Sequence, residues 1–411
     1  MPATRRTLSR TTCAIVLIGL LQIVFGTIYV FKVPLWAPSD ERAHMSYIVA
    51  VAHTGNLPVI GEDHATYEAH QPPLFYVVAA GAYKIFESRG WQFSGYCLRT
   101  LCFVLHLAAF TIAILIYRQY LSRHREILLA SVSLFAFDPS LLAFCCAISN
   151  DSLAFLIATI WGYLLCRNRF EVSSARHALL IGFVVGLGLL CKLTFAPFLV
   201  LSLLYSFRPG KVKQSLANCV CMILVVSVML APWIWHNWLV YGAATAQARV
   251  IDISPPAGDL FHLNWKSLLA YHFVPSEFWM NEVKVPLWLQ IGLVVAALIG
   301  VLGLFRSFYS LGAWNHEERK FVLFCLATYS INLAAWLWTA LFVQQGAVRW
   351  VFGSFFALAV VFSLGLLAWF QNCSERLRLT LGASIVLGLV ALNIYIIVAW
   401  VPNLVNLFKY P

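Results

Sequence analysis

The chain has 411 residues, of which 61% are hydrophobic and only 11% charged. Soluble domains run nearer half apolar and a quarter charged, so this composition excludes a soluble globular domain, a disordered chain and a disulfide-stapled secreted module. The formal net charge of +11 calls for an account by orientation in a bilayer before any polyanionic partner, and no nucleic acid is expected to bind.

Runs of about 20 apolar residues recur along the whole length, each long enough to cross roughly 30 Å of hydrocarbon. In chain order they predict eleven spans, at 11–31, 97–117, 126–147, 151–166, 178–193, 195–207, 215–239, 286–306, 321–342, 350–370 and 379–400. The expected fold is an all-α polytopic membrane protein, a single transmembrane domain over 1–411. The fifth and sixth spans are short and meet between Lys192 and Pro197, which reads as a broken or re-entrant pair. The first span is expected to be an uncleaved anchor. Its apolar run exceeds a signal-peptide core, and no small-residue cleavage site follows before Pro34.

Placing the N-terminus in the cytoplasm and letting the spans alternate puts 17 of the 28 Lys and Arg residues on the inner side, among them Arg118, Arg123, Arg167, Arg169, Arg208 and Arg376. The other face holds 11 basic and 11 acidic residues, and only Asp138 remains within a span. The positive-inside rule therefore predicts N-in, C-out in a cell (inner) membrane. Inner connections are too short for a domain and carry no G-x-x-x-x-G-K-[ST] loop, which excludes ATP-driven pumping by this chain alone. Two long outer segments, 32–96 and 240–285, remain, so any chemistry is expected on the extracytoplasmic side.

Most of the eleven cysteines lie in or beside spans without a C-x-x-C pair, so no disulfide framework is expected. The pentapeptide Lys-Val-Pro-Leu-Trp occurs at 32–36 and again at 284–288. Trp at the headgroup level and Pro at a helix boundary account for it without ancestry.

The first outer segment carries the unusual residues. Ser39 is a suitable N-cap, which would put Asp40 and Glu41 in the first turn of a helix, with His44 one turn on along the same surface. First-turn acidity also complements the helix dipole, and a lone His here also suits an interfacial hydrogen bond. Tyr47 follows, then His64, Glu68, His70 and the run Pro72-Pro73-Leu74-Phe75-Tyr76.

In order along the chain, Asp40-Glu41, Tyr47 and Pro72 to Tyr76 are followed by Arg99 and by Ser149 to Ser152. A glycine-rich span (Gly182, Gly186, Gly188) ends in Cys191-Lys192-Leu193. Pro232-Trp233, Asn237 and Tyr241-Gly242 come next, then Ser276 to Trp279, Gln345-Gly346 and Arg349-Trp350. This order resembles the membrane-embedded glycosyltransferases of the C-type fold, which use polyprenyl-phosphate sugars and include protein O-mannosyltransferases and the lipid A aminoarabinose transferase. The likeness covers roughly 11–370. Departures are His236, where the family has Arg before Asn237, and two extra residues between Gly346 and Arg349.

The resemblance implies catalysis by Asp40, with Glu41 beside it, and a donor phosphate held by Lys192, Arg99 and Arg349. It implies substrate contacts from His44, Tyr47, His70, Tyr76, Asp151, Asn237 and Trp279. The implied partners are a polyprenyl-phosphate-linked sugar, a lipid, glycan or protein hydroxyl acceptor, and membrane lipids.

The chemistry accords with this. A base must take the acceptor proton, and cations must hold a phosphate that departs as an anion without a general acid. One carboxylate suffices, unlike the paired carboxylates of most glycosidases. Lys192 lies about 14 residues into a span entering from the cytoplasm, roughly 21 Å up. Pairing with Asp151 and lipid snorkelling are the alternatives for the cations. The sequence singles out no cofactor. Glu41, His44 and Asp151 are nonetheless candidate ligands for a divalent ion, Mn, Mg or Zn. Asp138-Pro139 reads as a hydrogen-bonded acid at a proline kink. The competing function is a lipid or solute transporter or flippase without covalent chemistry, which should show repeated halves and broken helices at the midplane.

Overall fold

In a computed structural model, residues 9–38, 40–61, 67–246, 256–263, 265, 273–275, 285–310, 314–343 and 348–408 are described. The described elements are helices. α1 (Arg10–Lys32) is opened by Ser9, whose hydroxyl accepts from the Thr12 amide at 3.2 Å. Two short helices outside the apolar spans follow, α2 (Glu41–Thr54) and α3 (Leu74–Phe86), and pack on each other through Tyr47 and Tyr76, whose rings stack at 3.7 Å and 9°.

The bundle continues with α4 (Trp91–Leu121), α5 (Arg125–Phe137), α6 (Pro139–Cys145), α7 (Asp151–Arg167), α8 (Ala175–Cys191), α9 (Ala196–Ser206) and α10 (Val212–Tyr241). It closes with α11 (Leu287–Ser310), α12 (His316–Phe342), α13 (Phe355–Leu367), α14 (Glu375–Tyr395) and α15 (Val401–Leu407).

Each of the eleven predicted spans falls on helix, but not every one is long enough to cross a bilayer alone. Seven helices of the described residues are long and apolar enough to cross a bilayer, or eight with α5 and α6 taken as one bent span. The predicted spans 151–166, 178–193 and 195–207 form α7, α8 and α9, of 17, 17 and 11 residues. At about 1.5 Å per residue none of these reaches a full 30 Å alone.

The apolar segments differ in what covers them. The stretch from Arg349 to Phe370 is 83% buried inside the protein, whereas Leu287–Ser307 is 17% buried. The first is the central post of the bundle, and the second offers its side chains to lipid. Close crossings use small residues, as expected where no hydrophobic effect drives helices together. A Cβ added at Gly182 would lie 3.0 Å from the Met222 Cα of α10, so α8 and α10 touch backbone to backbone there.

The break between α5 and α6 has a local cause. The pair bends by 45° at Asp138-Pro139. Asp138 caps α6 by accepting from the Leu141 amide at 2.8 Å. The Phe137 carbonyl receives instead the side-chain amide of Asn393 at 2.7 Å. The acid is thus a helix cap at a proline kink.

At the end of the bundle remote from α2, residues read as cytoplasmic pair with one another. Glu126 meets Arg378 at 3.6 Å, Glu171 meets Arg208 at 3.2 Å and His124 meets Glu318 at 3.6 Å. All eleven cysteines are free.

Candidate active site

Five stretches converge at the other end: the turn into α2, the 3₁₀ turn Tyr67–His70, the turn entering α7, the break after α8, and the 3₁₀ segment Val348–Ser354 leading into α13. Side chains from all five meet.

Asp40 precedes α2 with φ 67°, in the left-handed region, and makes no side-chain cap bond. This corrects the predicted helix start. Asp40, not Ser39, holds the N-cap position, Glu41 opens the helix, and Ser39 lies outside the described residues. The left-handed region costs a non-glycine residue on the order of 1–3 kcal/mol and persists where surrounding contacts fix it. Here the fixing contact is an ion pair from Arg349 Nη2 to Asp40 Oδ2. Burial pushes the Asp40 proton affinity up, but Arg349 above all, with Lys192 behind it, brings it below the ordinary carboxylate range. Asp40 is therefore an anion in this arrangement.

Arg349 stands over the Phe144 ring at 5.3 Å. Its Nε and Nη1 are buried and have no hydrogen-bond partner among the described residues. A buried guanidinium with two vacant nitrogens is costly. It is also a ready fork for a tetrahedral oxyanion.

Lys192 caps α8 in extended conformation, φ −159° and ψ 130°, and its Nζ is ion-paired with Asp151 Oδ1. Asp151 Oδ2 accepts from the Ser149 hydroxyl at 3.1 Å, and the Asp151 amide returns a bond to that hydroxyl at 3.0 Å. Asn150 ties the turn to its neighbours, donating to the Cys191 carbonyl at 3.1 Å and to Gln71 Oε1 at 3.3 Å.

Glu41 and Arg99 form a closed unit. Both side chains are fully buried. Glu41 accepts from Arg99 Nε at 2.7 Å, Arg99 Nη2 at 2.6 Å, the Trp36 amide at 2.8 Å and the Ile148 amide at 3.0 Å. Arg99 also donates to the carbonyls of Val30 at 3.1 Å, Val33 at 2.7 Å and Pro34 at 2.9 Å. No donor of Arg99 is left for a phosphate, and no lone pair of Glu41 is conveniently free for a substrate. This geometry makes the pair a clamp joining α1, α2, α4 and the turn before α7.

The aromatic side of the site is built from α2 and α3. His44 Nδ1 and the Tyr76 hydroxyl share a 2.8 Å hydrogen bond, with Glu68 Oε2 at 3.8 Å from the same nitrogen. Burial lowers the His44 proton affinity, so the ring is neutral. Burial likewise raises Glu68, more than His44 lowers it, and its Oε2 has no hydrogen-bond partner among the described residues. His70, lowered to about 4 by burial first and Lys192 second, sits beside Gln71, whose Nε2 is 3.1 Å from His70 Nε2. Tyr47 donates to the Gln71 carbonyl at 3.3 Å.

One expected substrate residue, Asn237, is engaged away from this cluster. Asn237 donates to the Ala244 carbonyl at 3.1 Å and secures the end of α10. Trp279 lies outside the described residues, as do His64 and Gln345-Gly346. Glu68 carries no assigned role in the sequence reading, yet its carboxylate lies 3.8 Å from His44. An acid followed within a few residues by a Pro-Pro pair was the signal available for it.

The expected metal ligands do not fit an ion. Glu41 is saturated, Asp151 is held by Lys192 and Ser149, and His44 Nδ1 is engaged by Tyr76. Among the described residues no group of three or more His, Cys, Asp or Glu is arranged to hold one.

Near the charged cluster in the chain, α9 and α12 border a largely apolar cavity of about 290 Å³ whose lining includes Leu193, Pro197, Val200, Trp336, Thr339 and Trp350. Leu193 and Trp350 are the chain neighbours of Lys192 and Arg349.

Residues 70–236 match the model of the dolichyl-phosphate-mannose-protein mannosyltransferase family. That stretch holds Asp151 and Lys192 but stops short of Asp40 and Arg349. The whole chain superimposes on ArnT from Cupriavidus metallidurans, solved with undecaprenyl phosphate, at TM-score 0.57 and 11% identity, covering 95% of this chain and 73% of that one. It has the C-type glycosyltransferase fold. The archaeal oligosaccharyltransferase AglB from Archaeoglobus fulgidus, in complex with an inhibitory peptide and a dolichol-phosphate, aligns at TM-score 0.54 and 12% identity. The match takes in 93% of this chain but only 55% of AglB. The same enzyme in complex with Zn and sulfate aligns at TM-score 0.54 and 15% identity, over 93% of this chain and 52% of that one. No curated protein matches the chain.

Proposed function

We propose that this chain is a glycosyltransferase. It moves a sugar from a polyprenyl-phosphate donor to a hydroxyl acceptor on the extracytoplasmic face of the membrane, with Asp40 as general base. The observation that carries the reading is the Asp40–Arg349 pair, in which a buried guanidinium holds the carboxylate through one nitrogen and keeps two others vacant. Family similarity over 70–236 and the fold shared with enzymes solved with lipid phosphates support the same reading.

Arg349 and Lys192 hold the donor phosphate, and the trough between α9 and α12 takes the first isoprene units. The vacant nitrogens of Arg349 point to phosphate contact without breaking its bond to Asp40. As negative charge develops on the leaving phosphate, the two cations stabilise it. Asp40 removes the proton of the acceptor hydroxyl as the new glycosidic bond forms. His44, Tyr47, Tyr76 and His70 supply an aromatic wall for the sugar, and neutral His44 and Glu68 can exchange hydrogen bonds with its hydroxyls.

The test is transfer of label from a radiolabelled polyprenyl-phosphate sugar pool in liposomes, wild type beside Asp40→Asn. The amide keeps the shape and cannot take the proton, and a loss of about 10²–10⁴-fold is expected. A folded Asp40→Asn protein transferring at the full rate ends this assignment and passes the role of base to Asp151. A wild type that moves lipid across the bilayer without transferring sugar ends the enzyme reading altogether.

A further inference from the structure

A second basic cleft lies at the opposite end of the bundle. α7 runs from Asp151 in the candidate site to Arg167, which places Arg167 about 24 Å away along the helix axis. There a polar cavity of about 410 Å³ is lined by Arg123, Arg167 and Arg169. The acids of this cavity are already engaged. Glu318 accepts from the Asn315 amide at 3.0 Å in a capping box and lies 3.6 Å from His124, and Glu317 lies 3.9 Å from Lys320. The side chains of Arg123, Arg167 and Arg169 form no ion pair or hydrogen bond among the described residues.

Arg169 also borders an adjoining crevice of about 660 Å³, walled by Phe170, Tyr205, Phe324 and Ala327, with Lys320 on its rim. The remaining acid there, Glu171, is taken by Arg208 at 3.2 Å. Arg169 and Phe170 are consecutive left-handed residues, φ 54° and 64°. Phe170 is buried with its ring 5.0 Å from that of Phe324, which fixes the turn carrying Arg169. Leu323 in the crevice wall is 50% exposed, so the crevice is open along α12, one of the helices apolar enough to cross a bilayer.

We propose that this end of the protein binds one anionic phospholipid. Its phosphate sits among Arg167, Arg169 and Lys320, and an acyl chain fills the crevice between Phe170, Phe324 and Ala327. Charge complementarity selects the headgroup. Arg167 and Arg169, without side-chain partners among the described residues, gain from a phosphate of either a lipid or a free anion, and Lys320 adds its charge beside its long contact with Glu317. The continuous apolar crevice beside them selects the lipid, because a free phosphate has no use for it. The site lies in the leaflet opposite the sugar-transfer site and does not depend on that chemistry.

Native mass spectrometry of the full chain in detergent tests this, with phosphatidylglycerol, phosphatidylcholine and inorganic phosphate titrated separately. One phosphatidylglycerol per chain should be retained, with an apparent affinity about ten-fold or more above that for phosphatidylcholine. Arg167→Gln and Arg169→Gln should each weaken retention about five-fold, the worth of one basic residue near a membrane phosphate. Arg376→Gln, on the same end but outside both cavities, should leave it unchanged. Ala327→Phe fills the crevice without touching a charge and should weaken retention as much as Arg169→Gln. Melting curves establish that each variant is folded, and Arg167→Gln with Ala327→Phe carries the test if Arg169→Gln fails to fold. Equal retention of phosphatidylcholine, an Arg376→Gln loss matching Arg169→Gln, or an unaffected Ala327→Phe overturns the proposal. Inorganic phosphate displacing the lipid at equal affinity also overturns it, in favour of a free-anion site.

Discussion

Asp40 and Arg349 lie 309 positions apart in the chain and form one ion pair at the mouth of the bundle. One residue along, Glu41 pairs with Arg99 across 58 positions. Adjacent carboxylates thus meet two arginines in opposite states. Arg99 has every donor occupied, whereas Arg349 has Nε and Nη1 vacant. Only the open pair can respond to a ligand. On the proposed reading, a phosphate drawing on Arg349 would weaken its hold on Asp40 and make that carboxylate a stronger base when the donor is present.

Arg349 is therefore the first position to change after Asp40. Arg349→Gln should lower single-turnover transfer about 10²–10³-fold, the usual cost of removing one transition-state donor. Arg349→Lys keeps a point charge but no fork, and should recover only part of that loss. The acid limb of the pH–rate profile should move to higher pH in Arg349→Gln, because the guanidinium is the main influence holding Asp40 below the ordinary carboxylate range. An unchanged rate and an unchanged acid limb in Arg349→Gln would separate this arginine from both the phosphate and the base.

Glu41→Gln and Arg99→Gln should behave quite differently. Removing one partner of a buried pair leaves the other charge uncompensated, at a cost of about 3–5 kcal/mol. Both variants should lose folded yield and melt earlier in detergent, with residual activity falling in step with the folded fraction. A well-folded Glu41→Gln protein with a selective loss of kcat would give Glu41 a catalytic part instead.

Much of this organisation is legible in the chain, for physical reasons that also mark the limit. Apolar runs announce helices because unpaired backbone is not tolerated in lipid. Asp138-Pro139 announces a bend because proline breaks the hydrogen-bond ladder. Depth along the spans brings Lys192 and Asp151 to one level, where they pair. The closed state of Arg99 has no such signature, since three of its acceptors are the backbone carbonyls of Val30, Val33 and Pro34. Nor does the left-handed backbone of Asp40, which depends on a partner 309 residues away. The shortness of α8 and α9 is legible as a broken pair, and α7, with 17 residues, is no longer than α8.

The buried titratable groups give stability a defined pH dependence. His70 is lowered to about 4 in the folded protein, against about 6.5 when exposed. The unfolded chain then binds more protons in that window, so this contribution is present above about pH 6.5 and is lost as pH falls toward 4. Glu68 is raised, so its contribution has the opposite sign, present below its unfolded value and lost as pH rises through the folded one. In melting curves between pH 4 and 7, His70→Gln should flatten the loss of stability on acidification and Glu68→Gln should steepen it. Parallel curves for wild type and both variants would mean that neither group titrates differently on folding.

The trough between α9 and α12 makes a claim about the lipid that the charged cluster alone does not. Ala335 lies in its wall with Trp336 and Thr339, on the helix facing Pro197 and Val200. Ala335→Trp would fill a cavity of about 290 Å³ without touching Asp40, Arg349 or Lys192. If the first isoprene units lie there, the larger side chain excludes them while the phosphate contacts survive. The expected result is a KM for a long-chain donor raised about ten-fold, the worth of roughly two buried methylenes, with kcat nearly kept. A donor carrying a short, flexible tail should lose little, because it never used the trough. A KM raised equally for both donors would mean that the substitution disturbs the phosphate site itself, and no change for either would place the tail along another face of the bundle.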